Sequence, residues 1–184
     1  DFQNQKALRY GLVVVQNVLE EDSSSSNIRY GIYSTEGQEI VGTKYSAIEF
    51  VEGNQEFIVT TAEGKVGILT ADGDTKVNPQ YDSLKQIDKN LNLYLAEVNE
   101  RYGVIERNGK ILIYPEYSQI GIDATDFPSN DIKNQYILYD NAIPVQRDGK
   151  WGLYDVRGNM ILPIEYAGFG CIANSSSVQT LNNL

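Results

Sequence analysis

Lys150-Trp151-Gly152-Leu153-Tyr154 opens a phrase whose parts recur three more times along the chain. Six residues after Gly152 stands Gly158, and fourteen after it stands Tyr166. The same offsets join Gly31, Gly37 and Tyr45, then Gly67, Gly73 and Tyr81, then Gly103, Gly109 and Tyr117. The pairs before these glycines are Arg29-Tyr30, Lys65-Val66 and Arg101-Tyr102. Three features at fixed offsets in four copies exclude coincidence. Such a pattern marks an array of supersecondary units, none able to bury its apolar face alone.

One copy, residues 101–120, shows how a unit is built. Tyr102, Val104 and Ile105 favour a strand. Arg107-Asn108-Gly109-Lys110 reads as a hairpin turn, with Asn-Gly supplying a positive φ. Ile111-Leu112-Ile113-Tyr114 is the return strand. Pro115 cannot donate to a ladder and marks a strand end, an edge or a bulge. Pro79 and Pro163 are matched to it, with Thr43 in the first copy. The other turns are Thr35-Glu36-Gly37-Gln38, Ala71-Asp72-Gly73-Asp74 and Val156-Arg157-Gly158-Asn159. A further strand precedes each phrase, at 12–15, 57–60, 93–98 and 142–145. The reading is therefore a tandem series of three-stranded antiparallel meanders. It predicts an all-β chain, stacked as a twisted, solenoid-like or partly closed array, with propeller-like closure as the rival.

The array spans 1–184, with repeat cores at 29–48, 65–84, 101–120 and 150–169. The first glycines are 36, 36 and 49 residues apart, so the last interval holds an insertion, placed at 121–139. Residues 20–27, Glu-Glu-Asp-Ser-Ser-Ser-Ser-Asn, read as a polar, flexible loop. Arg9-Tyr10-Gly11 lacks the later glycine and tyrosine and reads as a lead-in to the first strand. The tail 174–184 is expected to cap the array or fray.

Composition limits the function classes. Of 184 residues, 41% are apolar and 22% charged, which suits a globular protein. The net charge of −10 repels phosphate backbones, so no nucleic-acid partner is expected. No run of 18 apolar residues is present, so no membrane span is expected. The chain begins at Asp1 without a methionine or a visible signal peptide, and reads as a processed or trimmed form.

The stretch Lys150 to Tyr166 resembles the WG-repeat, or KWG, proteins of bacteria: a basic residue, Trp-Gly, a glycine turn, an apolar strand, a proline and a tyrosine. Gly11-Leu12-Val13-Val14 resembles the strand that precedes each such repeat. The resemblance spans roughly residues 10–170 and is closest at 150–166. Tyr30, Val66 and Tyr102 replace the tryptophan. The resemblance implies a β-repeat module that serves interaction rather than catalysis, often at or outside the cell envelope, with no general ligand.

Chemistry is sparse. The chain has no histidine, which removes the commonest general base and zinc ligand. Cys171 is the one cysteine, in an apolar run, and reads as a buried structural thiol. Asp72 and Asp74 flank a turn glycine, where aspartate is ordinary turn chemistry. Asp123, Asp126 and Asp131 lie in the insertion and offer weak oxygen ligands for calcium, without a recognised spacing. No cofactor is expected. Tyr30, Tyr102 and Trp151 share one slot, which suits either core packing or an aromatic row that stacks on sugars. Val66 in that slot favours core.

The expected function is a non-catalytic binding or scaffold module for a protein or peptide partner. Its candidate contacts are Phe127, Tyr136 and Tyr139 of the insertion, with Trp151, because insertions in arrays often map to the binding face. A carbohydrate or cell-wall binding module is the alternative. A carboxylate-dependent glycan hydrolase is the third.

Overall fold

A computed structural model describes residues 6–19, 27–122, 132–138, 141–171 and 178–180, with backbone alone at 132, 133, 170, 171 and 178–180. The all-β reading holds. The described residues form antiparallel sheets, the main ones of three or four strands, and no barrel closes.

Two compact units divide the chain. The first comprises residues 1–84 with 107–109. It contains β1 (Leu12–Val18), β2 (Ile28–Ser34) and β3 (Glu39–Tyr45), hydrogen-bonded in that order. A second sheet runs β4 (Ala47–Val51), β5 (Glu56–Thr60), β6 (Val66–Thr70) and β7 (Thr75–Tyr81). Its core gathers Leu12, Val14, Ile32, Val41, Phe50, Phe57, Val59 and Leu69. These are the alternate, inward positions of pleated strands.

In the second unit, β8 (Ser83–Asp88), β9 (Leu93–Val98), β10 (Arg101–Glu106) and β11 (Ile111–Tyr117) form a sheet, β8 starting in the last residues of the first unit. The next sheet takes β12 (Gln119–Ile120) as its outer strand. After the hairpin of β13 (Ile132–Asn134) and β14 (Ile137–Leu138) it continues with β15 (Ala142–Arg147), β16 (Lys150–Asp155) and β17 (Met160–Tyr166). Finally β18 (Phe169–Cys171) pairs with β19 (Val178–Thr180), so part of the tail forms a strand. The core of this unit includes Leu93, Val104, Ile113, Tyr117, Ile120, Ile143 and Val145.

Three of the four main sheets thus hold a fourth strand that the sequence pattern did not assign. The segment after each repeated tyrosine crosses over one residue and pairs with the next sheet: β4 with β5, β12 with β15.

The register explains the repeated glycine. Tyr30 faces Tyr45, Val66 faces Tyr81, Tyr102 faces Tyr117 and Trp151 faces Tyr166. The next pairs are Ile32–Val41, Ile68–Val77, Val104–Ile113 and Leu153–Leu162. One glycine therefore lies opposite three residues, a bulge. The bulged backbone fills the space where a side chain would start. A Cβ at Gly67 would meet the Val77 oxygen at 2.5 Å, and one at Gly31 the Val41 oxygen at 2.6 Å.

This register corrects one assignment. Leu162 occupies the place of Ile113, so Pro163 matches Tyr114 and Ile164 stands where Pro115 does. Bulged residues lie outside the regular ladder, so the proline can shift by one position without cost to pairing.

The second glycines have φ near +87°. Gly37, Gly73 and Gly158 donate to the carbonyls of Ser34, Thr70 and Asp155, three residues earlier. This is a three-residue loop: a turn followed by one left-handed glycine. At 107–110 only Gly109, not Asn108, takes the positive φ. The mirror-image two-residue hairpins occur elsewhere, at Asn99-Glu100 and Asp148-Gly149, where both central residues have positive φ.

The first unit also buries a carboxylate. Glu56 is 1% exposed, and its Oε1 accepts from Lys76 Nζ and, at 2.7 Å, from Arg107 Nε. Arg107 also donates to the Asn54 carbonyl at 2.9 Å. Two cations on one oxygen offset the desolvation of the charge.

Candidate functional site

The shared aromatic slot is mostly packed. Tyr30 lies half-buried against the core of the first unit, and Val66 is buried. Trp151 is half-buried, its ring edge-on to Phe169 at 5.5 Å, beside Ile122, Leu138 and Ala142. Tyr45, Tyr81 and Tyr117 are buried. The hydroxyl of Tyr117 shares a 2.8 Å hydrogen bond with that of Tyr154. Burial, then that hydrogen bond, push the Tyr117 phenol well above its ordinary range.

Tyr102 is likewise half-buried, packed against the core of the second unit. Together with Tyr136 of the insertion it borders a groove of about 570 Å³ in the second unit. The groove lies within the range of small-ligand sites, about 300–1,000 Å³. Its remaining side chains come from β9 (Leu95), the β11–β12 corner (Ser118, Gln119, Ile120), the following residue Ile122, and the β13–β14 turn (Gln135).

Local chemistry builds each wall. Asn134 Oδ1 accepts from the backbone N–H of Tyr136 at 2.8 Å and of Ile137 at 3.0 Å, closing the β13–β14 turn. Its Nδ2 donates to the Ile87 carbonyl at 3.0 Å and ties that turn to β8. Such asparagine turns are local and strong. Gly121, at φ +88°, receives the hairpin: a Cβ there would meet the Gln135 carbonyl oxygen at 2.3 Å. Lys85 Nζ donates to the Tyr136 hydroxyl at 2.9 Å and stands 5.2 Å from its ring centre, which fixes the ring.

Of the predicted contacts, Tyr136 is thus at the groove and Trp151 is in a packed cluster. Phe127, Tyr139, Asp123, Asp126 and Asp131 lie outside the described residues, as do residues 20–26 of the serine loop and the side chain of Cys171. Sequence reasoning missed Ser118, Gln119 and Gln135. They carry no periodic signal, although Ser118 and Gln119 follow a repeated tyrosine directly. Among the described residues, no helix is long and apolar enough to cross a membrane.

A family model described as "WG containing repeat" matches residues 102–131, which run from Tyr102 through β12 into the insertion. No curated protein matches the chain.

Proposed function

We propose that this chain, a WG-repeat protein, is a non-catalytic binding module whose ligand seat is the groove between Tyr102 and Tyr136. The observation that carries this reading is joint construction. A repeated strand position and the hairpin of the longest interruption in the array meet around one open space. Insertions in repeat arrays commonly lie on the binding face. None of the described lining residues carries a carboxylate, which speaks against a glycan hydrolase working in this groove. A glycan hydrolase needs two carboxylates about 5–10 Å apart across its cleft.

The sequence favours a protein or peptide as ligand, with a glycan as the rival. Both would use this seat. A backbone amide NMR spectrum of the full chain, taken with size-fractionated cell extract and medium, tests the seat. Shifts centred on residues 95, 102, 118–122, 135 and 136 are expected. Shifts confined to other sheets, or none with any fraction, would remove the groove from consideration.

A further inference from the structure

We infer that the groove takes an uncharged glycan. This rests on the groove being the ligand seat and names the class of ligand it holds.

The first argument is charge. The protein carries a net charge of −10, yet every described side chain lining the groove is neutral: Leu95, Tyr102, Ser118, Gln119, Gln135 and Tyr136 among them. Among the described residues, an ionic ligand would find no counter-charge in the wall, and would lose hydration without a partner. The nearby ammonium of Lys85 is engaged with Tyr136.

Backbone pairing gives the second argument. A peptide that binds by strand addition needs free backbone N–H and C=O groups along an edge. Here three of the corner's donors are taken. Ser118 N–H donates to the Gln146 carbonyl at 2.9 Å, Gly121 N–H to Pro144 at 2.8 Å, and Ile122 N–H to Gln135 at 2.8 Å. Only the two residues of the outer strand β12 itself, Gln119 and Ile120, lie between them. That is a short edge for strand addition, and recognition falls mainly to side chains.

Those side chains suit a polyol. Tyr102 and Tyr136 line the groove with half-buried rings, Tyr136 carrying Lys85 over its ring, and give it apolar surface for the C–H faces of a sugar. Gln119 and Gln135 are exposed amides, each with donors and acceptors that match hydroxyl groups held at fixed spacing. Gln119 Nε2 donates to the Gly121 carbonyl at 3.2 Å, which orients its amide and leaves its oxygen as an acceptor. Held this way, the Gln119 amide loses little freedom on binding.

The test titrates the labelled full chain separately with maltohexaose, cellohexaose, chitohexaose and mannohexaose, and with a pooled library of uncharged hexapeptides. The Gln119→Ala/Gln135→Ala double variant and Tyr136→Leu are run beside it, with circular dichroism to check folding. Both glutamines are exposed, so the double variant preserves the core. At least one saccharide is expected to shift the groove amides, with binding roughly fivefold or more weaker in the double variant. Failure of all four saccharides at millimolar concentration overturns the glycan reading. Peptides that shift the groove amides also overturn it, while leaving the groove as the seat. Saccharide shifts elsewhere on the chain, unaffected by the variants, overturn both.

Discussion

The carbonyl oxygen of Ile113 lies 2.4 Å from the point where a side chain of Gly103 would begin. Nothing about that glycine's own φ imposes this; the neighbouring strand does, by carrying its bulge across the glycine's face. Gly103→Ala must push backbone against backbone. The expected loss is about 3 kcal/mol or more, at the upper end of overpacking costs. Gly149→Ala, where no atom lies within 4 Å but φ is +74°, should lose only about 1 kcal/mol. Urea unfolding of the two variants checks the order, and equal losses would contradict the bulge argument.

Glu100 sits at φ +59° in a two-residue hairpin, beside Asn99 at +50°. A side chain with a long stem gains nothing from this conformation. Glu100→Gly is expected to stabilise the protein by about 0.5–1 kcal/mol, since glycine adopts positive φ without strain. A thermal midpoint that stays level or falls would refute this.

Glu56 gives an ordering test. Oε1 holds both cations, and no described residue donates to Oε2. Lys76→Met with Arg107→Met strands a buried charge and should cost about 3–5 kcal/mol. Glu56→Gln leaves two cations that are about a quarter and a third exposed and can turn to water, so it should cost less. Adding Glu56→Gln to the double variant should restore part of the loss. Denaturant titration of the set decides it, and a triple variant weaker than the double would sink the account.

Tyr117 predicts an alkaline dependence. Its phenol is raised by burial and by Tyr154, so the folded protein keeps the proton after the unfolded chain has lost it. The stability this provides is complete below the unfolded phenol's pKa of about 10 and declines as pH rises above it. Tyr117→Phe removes the titration. The gap between the two proteins should be constant up to about pH 9, then narrow by up to about 1.4 kcal/mol per pH unit above 10. A gap that holds steady to pH 11 would show that Tyr117 ionises equally in both states.

Much of this fold is legible in the chain because glycine, turn and tyrosine repeat with fixed offsets. The strands, their antiparallel order and the positions of the positive-φ glycines all follow from that. The fourth strand does not. Ala47–Val51 and Gln119–Ile120 look merely extended, and only pairing across a corner assigns them to the following sheet. Pro163 misled the alignment because proline is the more visible marker, whereas the ladder is keyed to Leu162. At the groove, Tyr136 was accessible through the insertion. Gln119 and Gln135 were not, since polar residues sixteen positions apart carry no pattern until the hairpin folds back. Trp151 marks the repeat in sequence, yet its ring is taken up by Phe169 and its neighbours.

The single-residue crossings at Ser46, Asp82 and Ser118 set the frame in which such an array can grow or shrink. Excising 47–82 removes β4 to β7 as one intact sheet and leaves the ladders β1–β3 and β8–β11 whole. Excising an equal length in the frame of the visible phrase, 65–100, would take half of each of two sheets. The structural unit of the array is therefore offset in phase from the phrase by which the repeat is recognised.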